Sequence, residues 1–355
     1  MLIFDAHLDL SLNALEYNRD LRLSIAEIRA TEVGMSDLAG RSHGTVSLPE
    51  MRKAGIGLCV ATQIAGCMKP AGPVAVWESP AQAWSMTQKQ LAWYRAMEEV
   101  GEMRQVISWK EIEAHLKDWE VDPGNTPVGY ILSLEGADSI RTLADLETAY
   151  EYGLRALGPA HYGKGRYALG HDQDGPLSDK GRELIREMDH LGMILDVTHL
   201  CERTFWEALD LYKGPIWASH HNCRTLVDDP RQLTDEQIKA LAERGAVIGI
   251  AFDVWMVVPG WQRGATTHAD LPDTTLEAVA DHVDHVCQLL GTTLHTGIGT
   301  DLDGGFGTEQ TPDGMNTIAD LHKFHEILEL RGYSESALES IFSGNFLRFL
   351  ETAWR

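Results

Sequence analysis

A chain of 355 residues with 44% apolar and 23% charged side chains has material for two average domains or for one large α/β barrel. Its formal net charge of −23 argues against nucleic acid or anionic membrane as a partner, since both select basic surfaces. The five cysteines (Cys59, Cys67, Cys201, Cys223, Cys287) are odd in number and form no C-x-x-C pair, so a reduced, cytoplasmic protein without a disulfide framework is expected.

No window approaches the roughly 18 apolar residues of a membrane span. The opening apolar run ends at Asp5 without a basic region before it, and the tail from Leu350 to Arg355 lacks a hydrophobic anchor segment. Short runs rich in β-branched residues then alternate with helical periodicity. The first strand is predicted at 2–5 and the second at 57–63. Ser79-Pro80 supplies a cap and an N1 proline for a long helix ending near Gly101, after which Val106-Ile107 looks like an extra short strand. Strands follow at 129–134, 153–158 and 193–197, with a helix between the last two from Ser178 to Gly192. Further strands at 215–219 and 246–251 flank a helix that Thr234 caps and Gly245 ends. A helix from Thr274 or Thr275 to Gly291 precedes the eighth strand at 295–299. The helical segments after 316 are expected to pack on the exterior. Eight strands alternating with helices, without a G-x-G-x-x-G fingerprint, predict one (β/α)₈ TIM-type barrel domain over 1–355.

In such a barrel the chemistry gathers where the strands end. Strand 1 ends in Asp5-Ala-His7-Leu-Asp9, strand 3 in Glu135, strand 5 in Asp196-Val-Thr-His199, strand 6 in Ser219-His220-His221 and strand 8 in Asp301-Leu-Asp303; His161 lies just past strand 4. A lone histidine at a strand end is more often structural, and Asp301 and Asp303 beside glycines suit a turn. So many imidazoles and carboxylates at matching strand ends is a different matter, and it points to metal. Ligands without thiolates suit zinc ahead of manganese or iron. They are too many for one tetrahedral ion, so two are expected, with Glu135 placed to give one oxygen to each.

These residues resemble the membrane (renal) dipeptidase family, peptidase family M19 of the amidohydrolase superfamily. The likeness runs through His7-Leu-Asp9, Leu132-Ser-Leu-Glu135-Gly, Leu195-Asp-Val-Thr-His199, Ser219-His220, Asp228-Asp-Pro-Arg231, Gly299-Thr-Asp301-Leu-Asp303-Gly and Gly344-Asn345, which is essentially the whole chain. The resemblance implies a zinc-dependent dipeptidase, with L-Xaa-D-Xaa among the candidate substrates, and a homodimer. It implies that His7, Asp9 and Glu135 bind one zinc and that Glu135, His199 and His220 bind the second. It further implies that His161 holds the tetrahedral intermediate, that Arg231 pairs with the substrate carboxylate, and that Asp301 shuttles the proton.

Three departures stand out: Pro-Ala-His161-Tyr around the strand-4 histidine, Thr198 where serine is usual, and His221 after His220. Of the two adjacent histidines, His220 is preferred because it continues the Trp217-Ala-Ser219 strand. The competing enzyme reading is another binuclear amidohydrolase acting on a lactam, cyclic amide or N-acyl amino acid; Arg231, which calls for a free carboxylate, discriminates. A silent scaffold barrel would have lost ligands, and none is missing. Cys201 and Cys223 are expected to be packing residues, His171-Asp-Gln-Asp174 a surface turn, and Asp281-His-Val-Asp284-His285 a solvated helix face. Trp255 and Trp261 are expected either to wall a pocket or to pack in a core or lid.

Overall fold

A computed structural model describes residues 1–68 and 76–355. All eight expected strands form: β1 (Ile3–Leu8), β2 (Ile56–Ile64), β4 (Val128–Glu135), β5 (Leu154–Gly158), β6 (Ile194–Asp196), β7 (Ile216–Trp217), β8 (Ile248–Ile250) and β9 (Thr296–Ile298). The extra strand, β3 (Met103–Gln105), pairs with β4 outside the ring. Val106 extends it by donating its N–H to the Tyr130 carbonyl at 2.9 Å. The remaining strands pair in parallel in the order β7-β6-β5-β4-β2-β1-β9-β8, and a parallel bridge between Ala218 and Ile248 draws the two ends together. The result is a nearly closed eight-stranded barrel of the TIM type with helices between the strands.

The seam needs bare backbone. A Cβ on Gly249 or Gly299 would sit 2.0 or 1.9 Å from the Ser219 carbonyl oxygen, so neither position admits a side chain. The same approach lets the Gly249 N–H donate to Ala218 and its carbonyl accept from His221.

The helices begin and end where their signals lie. Pro80–Glu99 starts after Ser79, whose hydroxyl accepts from the Gln82 N–H; Asp179–Leu191 runs from the Ser178 cap to Gly192 in the left-handed region. Thr234 forms a capping box over Asp235–Glu243, and Thr275 rather than Thr274 is the N-cap of Leu276–Leu290.

The last helix, Asn345–Trp354, departs from expectation. Its Phe346, Phe349 and Leu350 join one buried cluster with Phe4, Val60, Ile131, Ala156, Ile194, Trp217 and Val247, contributed by successive strands. Phe346 stacks on Phe4 at 4.9 Å between ring centroids and meets Trp217 edge-on at 6.0 Å. Side chains from so many strands meet only inside the barrel, so this helix closes the barrel floor rather than decorating its exterior. The floor holds one end shut; the chemistry occupies the other.

Candidate metal centre

His7 lies within β1 and Asp9 just past it, while Glu135 is the last residue of β4. His199, His220 and Asp301 each come three residues after the last residue of β6, β7 and β9. Because the strands are parallel, all six side chains converge on one mouth, and His161 enters from the loop after β5. Asp9, Glu135, His161, His199, His220, Arg231 and Asp301 line a single small cavity. Its remaining wall is Ile64, Tyr162, Met256, Arg263 and Gly304.

Glu135 stands at the centre. Its Oε2 lies 3.6 Å from His7 Nε2, while its Oε1 faces His199 Nε2 at 2.9 Å, His220 Nε2 at 3.4 Å and His161 Nε2 at 4.0 Å. His7 Nε2 is also 3.7 Å from Asp9 Oδ2 and 3.7 Å from Asp301 Oδ1. Three overlapping groups have ligand atoms close enough to share an ion: His7, Asp9 and Glu135; Glu135, His199 and His220; and His7, His220 and Asp301.

Two further aspartates hold these ligands without joining them. Asp5 accepts the N–H groups of His7 at 3.2 Å and Thr300 at 2.9 Å, and the Thr300 hydroxyl at 2.6 Å. It therefore ties the His7 end of β1 to the Asp301 end of β9. Asp196 does the same between β6 and β7, accepting the N–H groups of Thr198 at 3.0 Å and Ser219 at 3.1 Å. Each of these contacts, apart from that of His7 itself, falls on the residue just before a site side chain. His199 and Asp301 adopt positive φ angles of 67° and 58°, a conformation disfavoured for non-glycine residues and common at sites that other contacts over-determine. A Cβ on Gly304 would fall 2.1 Å from Asp301 Oδ1, so only glycine leaves that carboxylate its place.

Electrostatics follow from burial. It pushes the imidazoles of His161, His171, His199, His220 and His221 below the ordinary histidine range, and the Arg231 guanidinium adds to the effect. Neutral imidazole is the form that offers a lone pair to a metal. His7 moves the other way: burial opposes its charge, yet Glu135, Asp9 and Asp301 raise it to about 10. Burial and then the neighbouring carboxylates also raise Glu135, and Asp301 rises to about 7. Carboxylates crowded among neutral imidazoles call for positive charge. His7 Nε2 and Asp9 Oδ1 are buried without a hydrogen-bond partner, so the donor set fits a divalent cation better than a proton network.

The matching family model is "Membrane dipeptidase (Peptidase family M19)", which covers residues 1–354. The chain belongs to this metallopeptidase family. Its fold is that of the family's solved members. The metallopeptidase dipeptidase AC superposes with a TM-score of 0.79 at 24% identity, covering 100% of this chain and 99% of that one. A Rhodobacter sphaeroides metallopeptidase, solved with a phosphinate mimic of L-Ala-D-Ala, gives 0.79 at 21% identity over 100% and 99%. Dipeptidase tcpJ of Claviceps purpurea is 30% identical over 233 residues, 62% of this chain and 51% of that protein. The chain spans between about half and three quarters of the length of three curated relatives it matches.

Within this M19 barrel the structure places several residues that the sequence left side by side. His220 Nε2 faces Glu135, whereas His221 turns its Nδ1 to Arg231 Nη1 at 3.3 Å and belongs to none of the ligand groups. Asp303 lies in a separate buried network, accepting from Thr45 N, Thr45 Oγ1, Val46 N and Arg19 Nη1. His171 is not a surface-turn residue: its Nδ1 is 3.2 Å from His199 Nδ1, and only Asp172, Gln173 and Asp174 of that turn are exposed. Cys201 and Cys223 are buried packing residues, as expected.

The 281–285 face is less solvated than its spacing suggested. His282 is fully buried between Cys223 and Val257, Asp281 and Asp284 pair with Arg331, and His285 pairs with Asp235. No helix among the described residues is long and apolar enough to cross a membrane. Arg263 and Tyr162 went unrecognised in the sequence. Arg263 lies in an irregular segment without periodicity, and nothing local distinguishes it from a solvated arginine.

Proposed function

We propose that the protein hydrolyses the single peptide bond of dipeptides, including those with a D-residue in the C-terminal position, with two zinc ions. The observation that carries the reading is Glu135, whose two carboxylate oxygens face two different sets of ligands. His7, Asp9 and Glu135 would hold one ion and Glu135, His199 and His220 the other. When bound, the ions would supply Lewis acidity toward the scissile carbonyl and toward water. The L-Ala-D-Ala mimic bound by the Rhodobacter relative motivates including D-residues.

The remaining roles fall to the chain's own groups. Asp301 Oδ1, next to His7, takes the proton of the attacking water and returns it to the departing amine. Burial keeps His161 neutral, so its N–H donates to the carbonyl oxygen as that carbon becomes tetrahedral. Arg231 is 1% exposed, and its guanidinium contacts among the described residues are the His220 carbonyl and the rings of His221 and His199, none of them a carboxylate. A buried guanidinium without an acidic partner suits a substrate carboxylate. The test is turnover of free dipeptides, L-Xaa-L-Xaa and L-Xaa-D-Xaa, by zinc-reconstituted protein, beside N-acyl amino acids and lactams. Cleavage of dipeptides with two ions per chain is expected. Preference for lactams or N-acyl amino acids would replace this reading with the broader amidohydrolase one.

A further inference from the structure

Arg231 is not the only guanidinium in the cavity. Arg263, from the segment between β8 and the helix Leu276–Leu290, lines the same space and also the outer cleft formed with Asp253, Gly304, Phe306 and Gln310. It stands at the junction of the two, with its side chain 37% exposed. Its position is built. The guanidinium lies over the Trp255 ring at 4.3 Å and beside the Tyr162 ring at 5.6 Å, and its Nη2 donates to Asp253 Oδ2 at 3.2 Å. Asp253 is itself buried and fixed, accepting from Trp255 Nε1 at 2.6 Å and Gln310 Nε2 at 2.7 Å.

Arginine has five N–H donors in a rigid fork. The Nη2 contact to Asp253 leaves other donors of this fork for a further acceptor in the two spaces that the residue lines. Arg263 lines the same small cavity as Arg231 and Asp301, the two residues assigned to the C-terminal half of the substrate.

We propose that Arg263 selects a second substrate carboxylate, so that the preferred substrates are dipeptides whose C-terminal residue is aspartate or glutamate. This rests on the dipeptidase reading, in which Arg231 holds the α-carboxylate and Asp301 serves the departing amine. The C-terminal side chain then projects into the space beside both residues, toward the cleft mouth. Asp253 and Trp255 act as posts that keep the guanidinium there instead of free in solvent. Tyr162, in the loop where this chain departs from the family pattern, supports the same group.

The experiment compares kcat/KM of the zinc-loaded full chain on matched pairs, Ala-Asp against Ala-Asn and Ala-Glu against Ala-Gln, in both C-terminal configurations, with Ala-Ala alongside. A preference for acid over amide of about ten- to a hundredfold is expected, the range of one charge-assisted hydrogen bond. Arg263→Met should reduce that ratio to near one, and Arg263→Lys should recover part of it. The wild-type ratio needs no variant, so a poorly folding Arg263→Met leaves the test intact. Hydrolysis of Ala-Ala with no acid preference overturns this proposal and leaves the dipeptidase reading standing. Equal losses on acid and amide substrates in Arg263→Met overturn it as well, reducing Arg263 to a structural pin. Absence of hydrolysis on every dipeptide overturns both.

Discussion

Removing the Arg231 guanidinium should separate substrates by their terminal carboxylate. Arg231 is held rather than free: Nη2 donates to the His220 carbonyl at 2.9 Å, and Nη1 lies 3.3 Å from His221 Nδ1. Two parallel bonds to a carboxylate in this buried setting are worth about 3–5 kcal/mol, because the lost partner leaves an uncompensated charge. That corresponds to roughly 10²–10⁴ in kcat/KM. Some loss will come from slackening His220, and it will fall on every substrate. A double cycle isolates the specific part: wild type and Arg231→Met, each with a dipeptide and its C-terminal amide. The wild type should discriminate strongly against the amide, and the variant should treat both alike. Arg231→Lys should resemble Arg231→Met, since an ammonium cannot reproduce the fork. If the wild type turns over acid and amide within threefold of each other, Arg231 does not read the carboxylate.

Four further outcomes follow from the geometry. Glu135→Gln should lower the metal content of both ligand groups together, measured by elemental analysis after dialysis; loss of a single ion would sink the bridging role. Asp301→Asn should cut kcat by about 10²–10⁴-fold with the ions retained. Asp303→Asn should instead lower denaturation stability by about 1–3 kcal/mol through its contacts to Thr45, Val46 and Arg19, and a kcat collapse in Asp303→Asn alone would show the proton shuttle misassigned. Phe346→Ala should cost about 3–5 kcal/mol in denaturant unfolding by emptying the barrel floor, whereas a cost below about 1 kcal/mol would place that helix outside the core.

Strand and helix positions were legible because alternation and capping are local. Buried runs such as 57–63 and 129–134 have no polar face to confuse them, and Ser79, Ser178 and Thr234 each accept from an N–H three residues on. That the candidate ligands would come together was legible for a topological reason, since parallel strands deliver successive strand ends to one place. What sequence could not supply was direction. The spacing of Phe346, Phe349 and Leu350 announces an apolar helix face but not the surface it meets, which is the barrel interior. His220 and His221 are indistinguishable by spacing, and their assignment depends on how the chain turns after Ser219. Arg263 acquires its place through Asp253, Trp255 and Tyr162, partners up to about a hundred residues away in sequence.

The arrangement of Asp5 and Asp196 explains how strained backbone and crowded charge persist together. Positive φ at His199 and Asp301 costs on the order of 1–2 kcal/mol each, and the buried carboxylates around His7 repel one another. Neither would survive on loops free to relax. Asp196 fixes the residues before His199 and His220, and Asp5 fixes His7 together with the residue before Asp301. An ionised carboxylate only accepts hydrogen bonds. Each strap gathers N–H groups from two strands on a single oxygen, Asp5 Oδ1 from His7 and Thr300 and Asp196 Oδ1 from Thr198 and Ser219. Strands β1 with β9 and β6 with β7 are thus locked in pairs across the mouth, and the Ser219 carbonyl, wedged against Gly249 and Gly299, locks the seam between β7 and β8. The geometry of the residues that would hold a cation is in this way set by hydrogen bonds within the chain.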